Sequence, residues 1–306
     1  MNSWDEQGGM PMNRVIAILP HERRPDVAAL AKSFHEDLRV RGVEARIVHS
    51  RADTEALNQP ELMVVIGGDG TILRAAELVR GLNVPILGIN YGHVGFLAEV
   101  DPSSQADVVS AIVHSEWTTE RRMTIDVTVH RPDGTAVTSW ALNEASIEKG
   151  SGSRMIETDI GVDGEPVSSF KTDTVLLSTP TGSTAYNFSA GGPIVWPDVE
   201  AIVLTPIAAH ALFTRPMVLG PHSWLDVQIR TDDALIWCDG RRKMNAPEGS
   251  SVHVGKGRHS VLLARLGDAP FSERLVKKLH LPVHGWRGQQ AADNAGSQIN
   301  AEAGAR

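Results

Sequence analysis

The spacing of apolar residues changes near residue 118, and that change restricts the chain to a two-part architecture. Before it, apolar runs of strand length at 14–19 (RVIAIL), 43–49, 62–66 (LMVVI) and 84–89 (VPILGI) alternate with stretches of helical spacing. One helix is predicted over 25–41, with Val27, Leu30, Ala31, Phe34 and Leu38 on one face, Pro25 at its start and Gly42 as its stop. Another is predicted over 71–80, and a third runs to about residue 114 from a cap at Asp101 with Pro102 at its first position. Strands separated by amphipathic helices specify an open, mostly parallel α/β sheet. After the change, 124–130 (TIDVTVH) alternates strictly and enters the turn Arg-Pro-Asp-Gly at 131–134. Asp163 and Gly164 mark a hairpin, and β-rich runs follow at 174–179, 201–205, 225–231 and 251–266. This part is expected to be a mostly antiparallel all-β C-terminal domain. Helical spacing returns in FSERLVKKLH at 271–280, expected to pack back onto the first domain. The expected division is a disordered N-terminus (1–13), an α/β domain (14–117), a β-rich domain (118–266), a return segment and helix (267–287) and a disordered tail (288–306).

Charge and cysteine content narrow the function classes. Net charge is −8, with 29 Lys+Arg against 37 Asp+Glu, so no basic surface advertises nucleic acid. An anionic ligand must then be held by backbone N–H groups and a few placed cations. The single cysteine, Cys238, allows no internal disulfide or cysteine-based structural zinc site, which fits a reducing cytoplasm. No apolar run approaches the roughly 20 residues of a membrane helix, and the first thirteen residues lack signal-peptide order. A soluble cytoplasmic protein with no nucleic-acid or membrane partner is expected.

The sharpest local signal is Gly67-Gly68-Asp69-Gly70-Thr71, between an apolar strand and a helix. Glycines bring backbone N–H groups close to a ligand, and a helix N-terminus favours phosphate. A carboxylate at the centre of such a loop repels phosphate. It makes sense if Asp69 takes a proton from an attacking hydroxyl or helps hold the metal that accompanies ATP; the plainer alternative is a helix cap. The loop is neither a P-loop nor a GxGxxG fingerprint. A second signal is the hydroxyl-rich stretch 178–193, STPTGSTAYNFSAGGP, where hydroxyls and N–H groups suit a ribose or base edge and Tyr186 offers a stacking ring. A surface loop is the alternative there. Asn143 and Glu144, then Lys171, Asp173 and Arg154, are polar groups that either meet sugar hydroxyls or simply face solvent. Arg241, Arg242 and Lys243 are solvated charge or phosphate contacts. Cys238 reads as packed rather than reactive, and Ser183 lacks the elbow of a nucleophile.

In this order the pieces resemble the NAD kinase family: GGDGT at 67–71, GINYGHVGFLAE at 88–99, NE at 143–144, Asp173, STPTGSTAY at 178–186, SAGGP at 189–193 and CDGR at 238–241. The resemblance spans roughly 14–286. GGDGT alone is shared with lipid and sugar kinases, whereas its succession by NE and TPTGSTAY is far more specific. The resemblance implies transfer of the γ-phosphate of ATP to the 2′-hydroxyl of NAD, with Asp69 as proton acceptor. It places Gly70, Arg74, Asn143, Glu144, Arg154, Lys171, Asp173, Thr184, Ala185, Tyr186, Asn187, Phe188 and Ser189 around NAD, and Gly67, Gly68, Gly70 and Thr71 at the phosphates. It also implies magnesium carried with ATP, no metal site made by the protein alone, and a homodimer or homotetramer in which Asp173 reaches a shared site. The sequence leaves polyphosphate open as a donor in place of ATP, and a silent NAD-binding sensor or a lipid or sugar kinase stands as the rival reading. One departure is Thr174, where the family usually carries glycine; Val94, in place of leucine or isoleucine, is minor.

Overall fold

The computed structural model describes residues 14–90, 95–98, 105–150, 152–212 and 214–282. The first sheet has the order β2 (Glu44–Ile47), β1 (Val15–Pro20), β3 (Leu62–Ile66), β4 (Ile86–Ile89), β18 (Val261–Arg265), β5 (Thr118–Arg122). Its pairings are parallel except for β5, which lies antiparallel along β18 at the edge. Every residue of β3 is buried because helices cover both faces, which is why the strand reads as an unbroken apolar run. On one face Ile16, Ile18, Val64 and Ile66 pack with Val27 and Phe34 of α1 (Pro25–Val40) and Val109 of α4 (Gln105–Val113). On the other, Ala17, Met63 and Val65 pack with Ile72, Ala75 and Ala76 of α3 (Asp69–Leu78). A short α2 (Arg51–Glu55), not evident from spacing, is fixed by a capping box between Ser50 and Asp53.

Two further six-stranded antiparallel sheets form a sandwich. One has the order β10 (Glu165–Thr172), β9 (Ile156–Val162), β14 (Leu225–Thr231), β17 (Ser251–Lys256), β6 (Ile125–His130), β7 (Ala136–Ala141). The other has the order β13 (Met217–Leu219), β12 (Ile202–Ile207), β11 (Thr174–Ser178), β8 (Glu144–Lys149), β15 (Ala234–Cys238), β16 (Arg242–Ala246). Ile125, Val127 and Val129 from the first meet Ala145, Ile147, Val175 and Leu177 from the second in one core, with Cys238 buried among them. Asp163 (φ 54°) and Gly164 (φ 88°) make the two-residue turn between β9 and β10, as the sequence predicts. The return helix α6 (Phe271–Leu279) reaches the first domain through Arg274, 3.8 Å from Glu120 on β5, and through Phe271 beside Phe96.

Two strands fall in a different sheet from the one their sequence position suggests. Residues 118–122 and 261–265, both within the β-rich span 118–266, complete the first sheet. The run 251–266 is therefore two strands in two sheets, broken at Gly257, where an added Cβ would lie 2.2 Å from Thr124 Oγ1. Strand β5 (TTERR) is a largely exposed edge with no apolar run, so it merges by eye with the alternation that begins at Thr124. Helix α3 starts two residues earlier than spacing suggests, at Asp69 itself. Asp101 and Pro102, Val94, residues 1–13 and the tail 288–306 lie outside the described residues.

Candidate active site

At the carboxyl ends of β1, β3 and β4, where open α/β sheets bind their ligands, lies a cleft of about 820 Å3. Gly67, Gly68, Gly70 and Thr71 form its floor, residues 21–24 after β1 form one wall, and Arg241 reaches in from the turn between β15 and β16. Asp69 is the first residue of α3. Its Oδ2 accepts from the Phe96 N–H (3.0 Å), and its Oδ1 accepts from Leu97 (3.1 Å) and Ala98 (3.4 Å). A Cβ at position 95 would lie 2.1 Å from Asp69 Oδ1, so Gly95 is what lets that strand of N–H groups approach. The carboxylate is thus locked in orientation while still at the helix N-terminus. Arg74, one turn on, holds Glu22 at 2.7 Å and the His49 carbonyl through Nη2. Its Nη1, at the cleft wall, is buried with no hydrogen-bond partner.

Asn143 immediately precedes β8 and Glu144 opens it, where the sandwich meets the first domain. Leu142 packs with Ile72, Leu97 and Ala98 in the α/β core, whereas Ala145 is already in the sandwich core. Buried Asp239 pins this junction by accepting the Leu142 N–H (3.0 Å) and the Asn143 N–H (2.7 Å). The turn at 179–182 closes over it, and an added Cβ at Gly182 would lie 1.9 Å from the Asn143 carbonyl oxygen. Asn143 Oδ1 and Glu144 Oε2 are buried without protein partners, the signature of groups aimed at a ligand. Burial, reinforced by the charge of Asp239, pushes the Glu144 carboxyl up to about 8, against the pull of the Tyr186 N–H.

The loop 178–193 divides its residues between exposed positions and buried, internally bonded ones. Tyr186 and Phe188 are 40% and 43% exposed; Ser189 is exposed, and Thr184 and Ala185 are half-buried. Asn187 is fully buried, and its amide is spent internally: Nδ2 donates to the Ser183 and Pro193 carbonyls, and Oδ1 accepts from Thr205. It holds the loop in shape and offers NAD no free side-chain donor. Ser183 is also buried, bonded to Pro180 and Val195. A separate cluster gathers Asp173, which pairs with Lys149 at 2.7 Å, and the carbonyl of exposed Arg154, which accepts from the same lysine at 3.1 Å. Exposed Lys171 lies 3.6 Å from Glu157. Thr174 is buried as the first residue of β11, paired with Glu148 and Ile207. Arg241 and Arg242 both bond Glu77, so they are neither plain solvated charge nor wholly free for phosphate. Burial lifts the Cys238 thiol to about 11, an unreactive state. Among the described residues no group of three His, Cys, Asp or Glu side chains is placed to hold a metal.

Sequence reasoning passed over Asp239, Glu77, Lys149 and the backbone donors at 96–98. Only the Asp-Gly turn at 239–240 and the glycines of 88–99 hinted at them, because their roles consist of partners distant in sequence.

A carboxylate fixed at the glycine-rich start of a helix, facing a sandwich that aims an Asn–Glu pair at the same junction, defines a two-domain nucleotide phosphotransferase. Family models agree: residues 18–117 match the ATP-NAD kinase N-terminal domain and residues 142–266 the ATP-NAD kinase C-terminal domain. The chain belongs to the NAD kinase family. It is 44% identical over 321 residues to a NAD kinase of Thermobifida fusca, covering 96% of this chain and 98% of that one. It is 49% identical over 256 residues to a NAD kinase of Mycobacterium bovis, covering 83% of each. Among solved structures, a NAD kinase from Archaeoglobus fulgidus in complex with ATP superposes with a TM-score of 0.72 at 27% identity, over 88% of this chain and all of that one.

Proposed function

We propose that this enzyme transfers the γ-phosphate of ATP to the 2′-hydroxyl of the adenosine ribose of NAD, giving NADP and ADP. The observation that carries the reading is the Asp69 carboxylate, oriented by three backbone N–H groups at the edge of a phosphate-suited cleft. The 2′-oxygen forms the new bond to the γ-phosphorus, the bond from that phosphorus to the β,γ-bridging oxygen breaks, and the hydroxyl proton passes to Asp69. In a loose transition state the proton leaves late, so a weak, well-placed base suffices. Alignment of the 2′-oxygen with the γ-phosphorus supplies most of the rate.

Gly67, Gly68, Gly70 and Thr71 cradle the triphosphate, and Arg74 Nη1 adds a buried donor. Asn143 and Glu144 receive the adenosine side of NAD through their unpartnered oxygens, and Tyr186 stacks on a base. Magnesium carried with ATP would supply charge neutralisation at the phosphates, and Asp69, between the cleft-lining Gly68 and Gly70, would be a carboxylate able to add to its shell. Asp173, Lys149 and Arg154 form a partly exposed polar cluster, with exposed Lys171 on β10 two residues before Asp173, suited to a site shared between subunits of a homodimer or homotetramer. The lone buried cysteine fits a cytoplasmic setting, and no helix among the described residues is long and apolar enough to cross a membrane.

Incubation with NAD, ATP and magnesium, followed by phosphorus NMR of the product, tests the reading. The expected product carries its new phosphate at the 2′ position. Phosphorylation of a lipid or a free sugar alone would overturn it, and parallel reactions with polyphosphate decide the donor.

A further inference from the structure

Behind the cleft, a chain of ion pairs links the helix that bears Asp69 to the backbone of Asn143. Glu77 lies eight residues along α3, about 12 Å from Asp69 at 1.5 Å per residue. Its carboxylate accepts from Arg241 Nε (2.9 Å) and from Arg242 Nη1. Arg242 Nη2 then donates to Asp239 Oδ2 (2.6 Å) and to the Trp140 carbonyl (2.8 Å). Asp239, its side chain wholly buried, ends the chain on the Leu142 and Asn143 N–H groups. The ring of Trp140 is covered by two guanidinium groups, Arg242 at 4.4 Å and Arg80 at 4.0 Å, and Arg80 also pairs with Asp126 at 2.8 Å.

These links are made of stiff parts: a helix, planar guanidinium forks and a carboxylate without solvent exposure. Buried ion pairs give little net stability, because desolvation offsets their attraction, but they fix geometry. This set fixes one particular distance. Asp69 rides on α3, whereas Asn143 and Glu144 sit at the start of β8, and among the described residues an ionic path between the two runs through Glu77, Arg242 and Asp239.

We propose that Glu77, Arg242 and Asp239 are positioning residues that set Asp69 against the Asn143–Glu144 pair, and so hold the acceptor hydroxyl in line with its base. The proposal rests on the reading above. None of the three needs to touch NAD. Loss of Glu77 or of the Arg242 fork should leave binding to the β domain intact while the reacting groups drift, and displacements near 1 Å cost up to about 100-fold in rate.

The test uses Glu77→Gln and Arg242→Lys in the full chain, with turnover of NAD, calorimetric NAD affinity and thermal melts. Glu77→Gln keeps size and removes the charge that grips both arginines; Arg242→Lys keeps charge but has no fork to bridge three acceptors. The expected result is a fall in kcat of about 10- to 100-fold with NAD affinity within about twofold of the parent. Unchanged kcat in variants that remain folded overturns the proposal, as does a fall in affinity that parallels the fall in kcat. Should one variant fail to fold, the other decides. A parent that made no NADP would instead remove the functional reading and this proposal with it, whereas an active parent with unchanged variants removes the proposal alone.

Discussion

Glu144 carries a pH dependence of definite sign. Its carboxyl titrates near 8 in the folded chain against 4.5 for the ordinary group, first through burial and then through Asp239. Below about pH 4.5 folded and unfolded chains both hold the proton. As pH rises toward 8 the unfolded chain ionises first, so the group's contribution to stability is lost over that window. Glu144→Gln should therefore melt progressively higher than the parent as pH is raised from 5 to 9. Hydroxyls of NAD donating to the carboxylate favour its ionised form, so NAD affinity should rise between pH 6 and 8 and flatten in the same variant. Calorimetry across that range checks it, and a flat parental profile would remove Glu144 from the NAD contacts. At Asp69 the asparagine variant keeps shape but not basicity. Turnover should fall by about 10²–10⁴-fold with NAD affinity largely kept. Losses of equal size in binding would make Asp69 a binding group instead.

Among the elements, β11 shows how strand register absorbs a departure from the family. Thr174 opens this strand in register with Glu148 on β8 and Ile207 on β12, and its N–H donates to the Thr172 hydroxyl oxygen at 3.3 Å. A buried β-branched residue suits that position, so Thr174→Gly should lower stability by up to about 1 kcal/mol without improving the Michaelis constant for NAD. A denaturant melt with steady-state kinetics decides; tighter NAD binding at unchanged stability would show that glycine is preferred for the ligand. The strand 62–66, the α1 stripe and the Asp163–Gly164 turn were legible because each is written in adjacent residues. The start of α3 was harder to read: a carboxylate at the first helical position looks like loop until the glycines around it are seen to turn.

The whole molecule is threaded so that its two domains are not consecutive in the chain. β18 lies between β4 and β5 in the first sheet, and it returns only after the entire sandwich has been formed. A fragment of residues 14–117 would leave β4 without its neighbour and the apolar Ile86 side of the sheet uncovered. It should give poorly dispersed proton NMR spectra and no cooperative melt, whereas the chain 14–282 should melt cooperatively. A sharp melt in the short fragment would show that β1 to β4 suffice. The sequence alone determined the elements whose cause is local: apolar period sets strand or helix, and glycines mark the loop that carries Asp69. Tertiary structure alone decided which sheet takes β5 and β18, that Asn187 serves the scaffold, and that Glu144 holds its proton near neutrality. Each of these depends on burial and on partners beyond the adjacent residues, and neither is encoded in the spacing of neighbours.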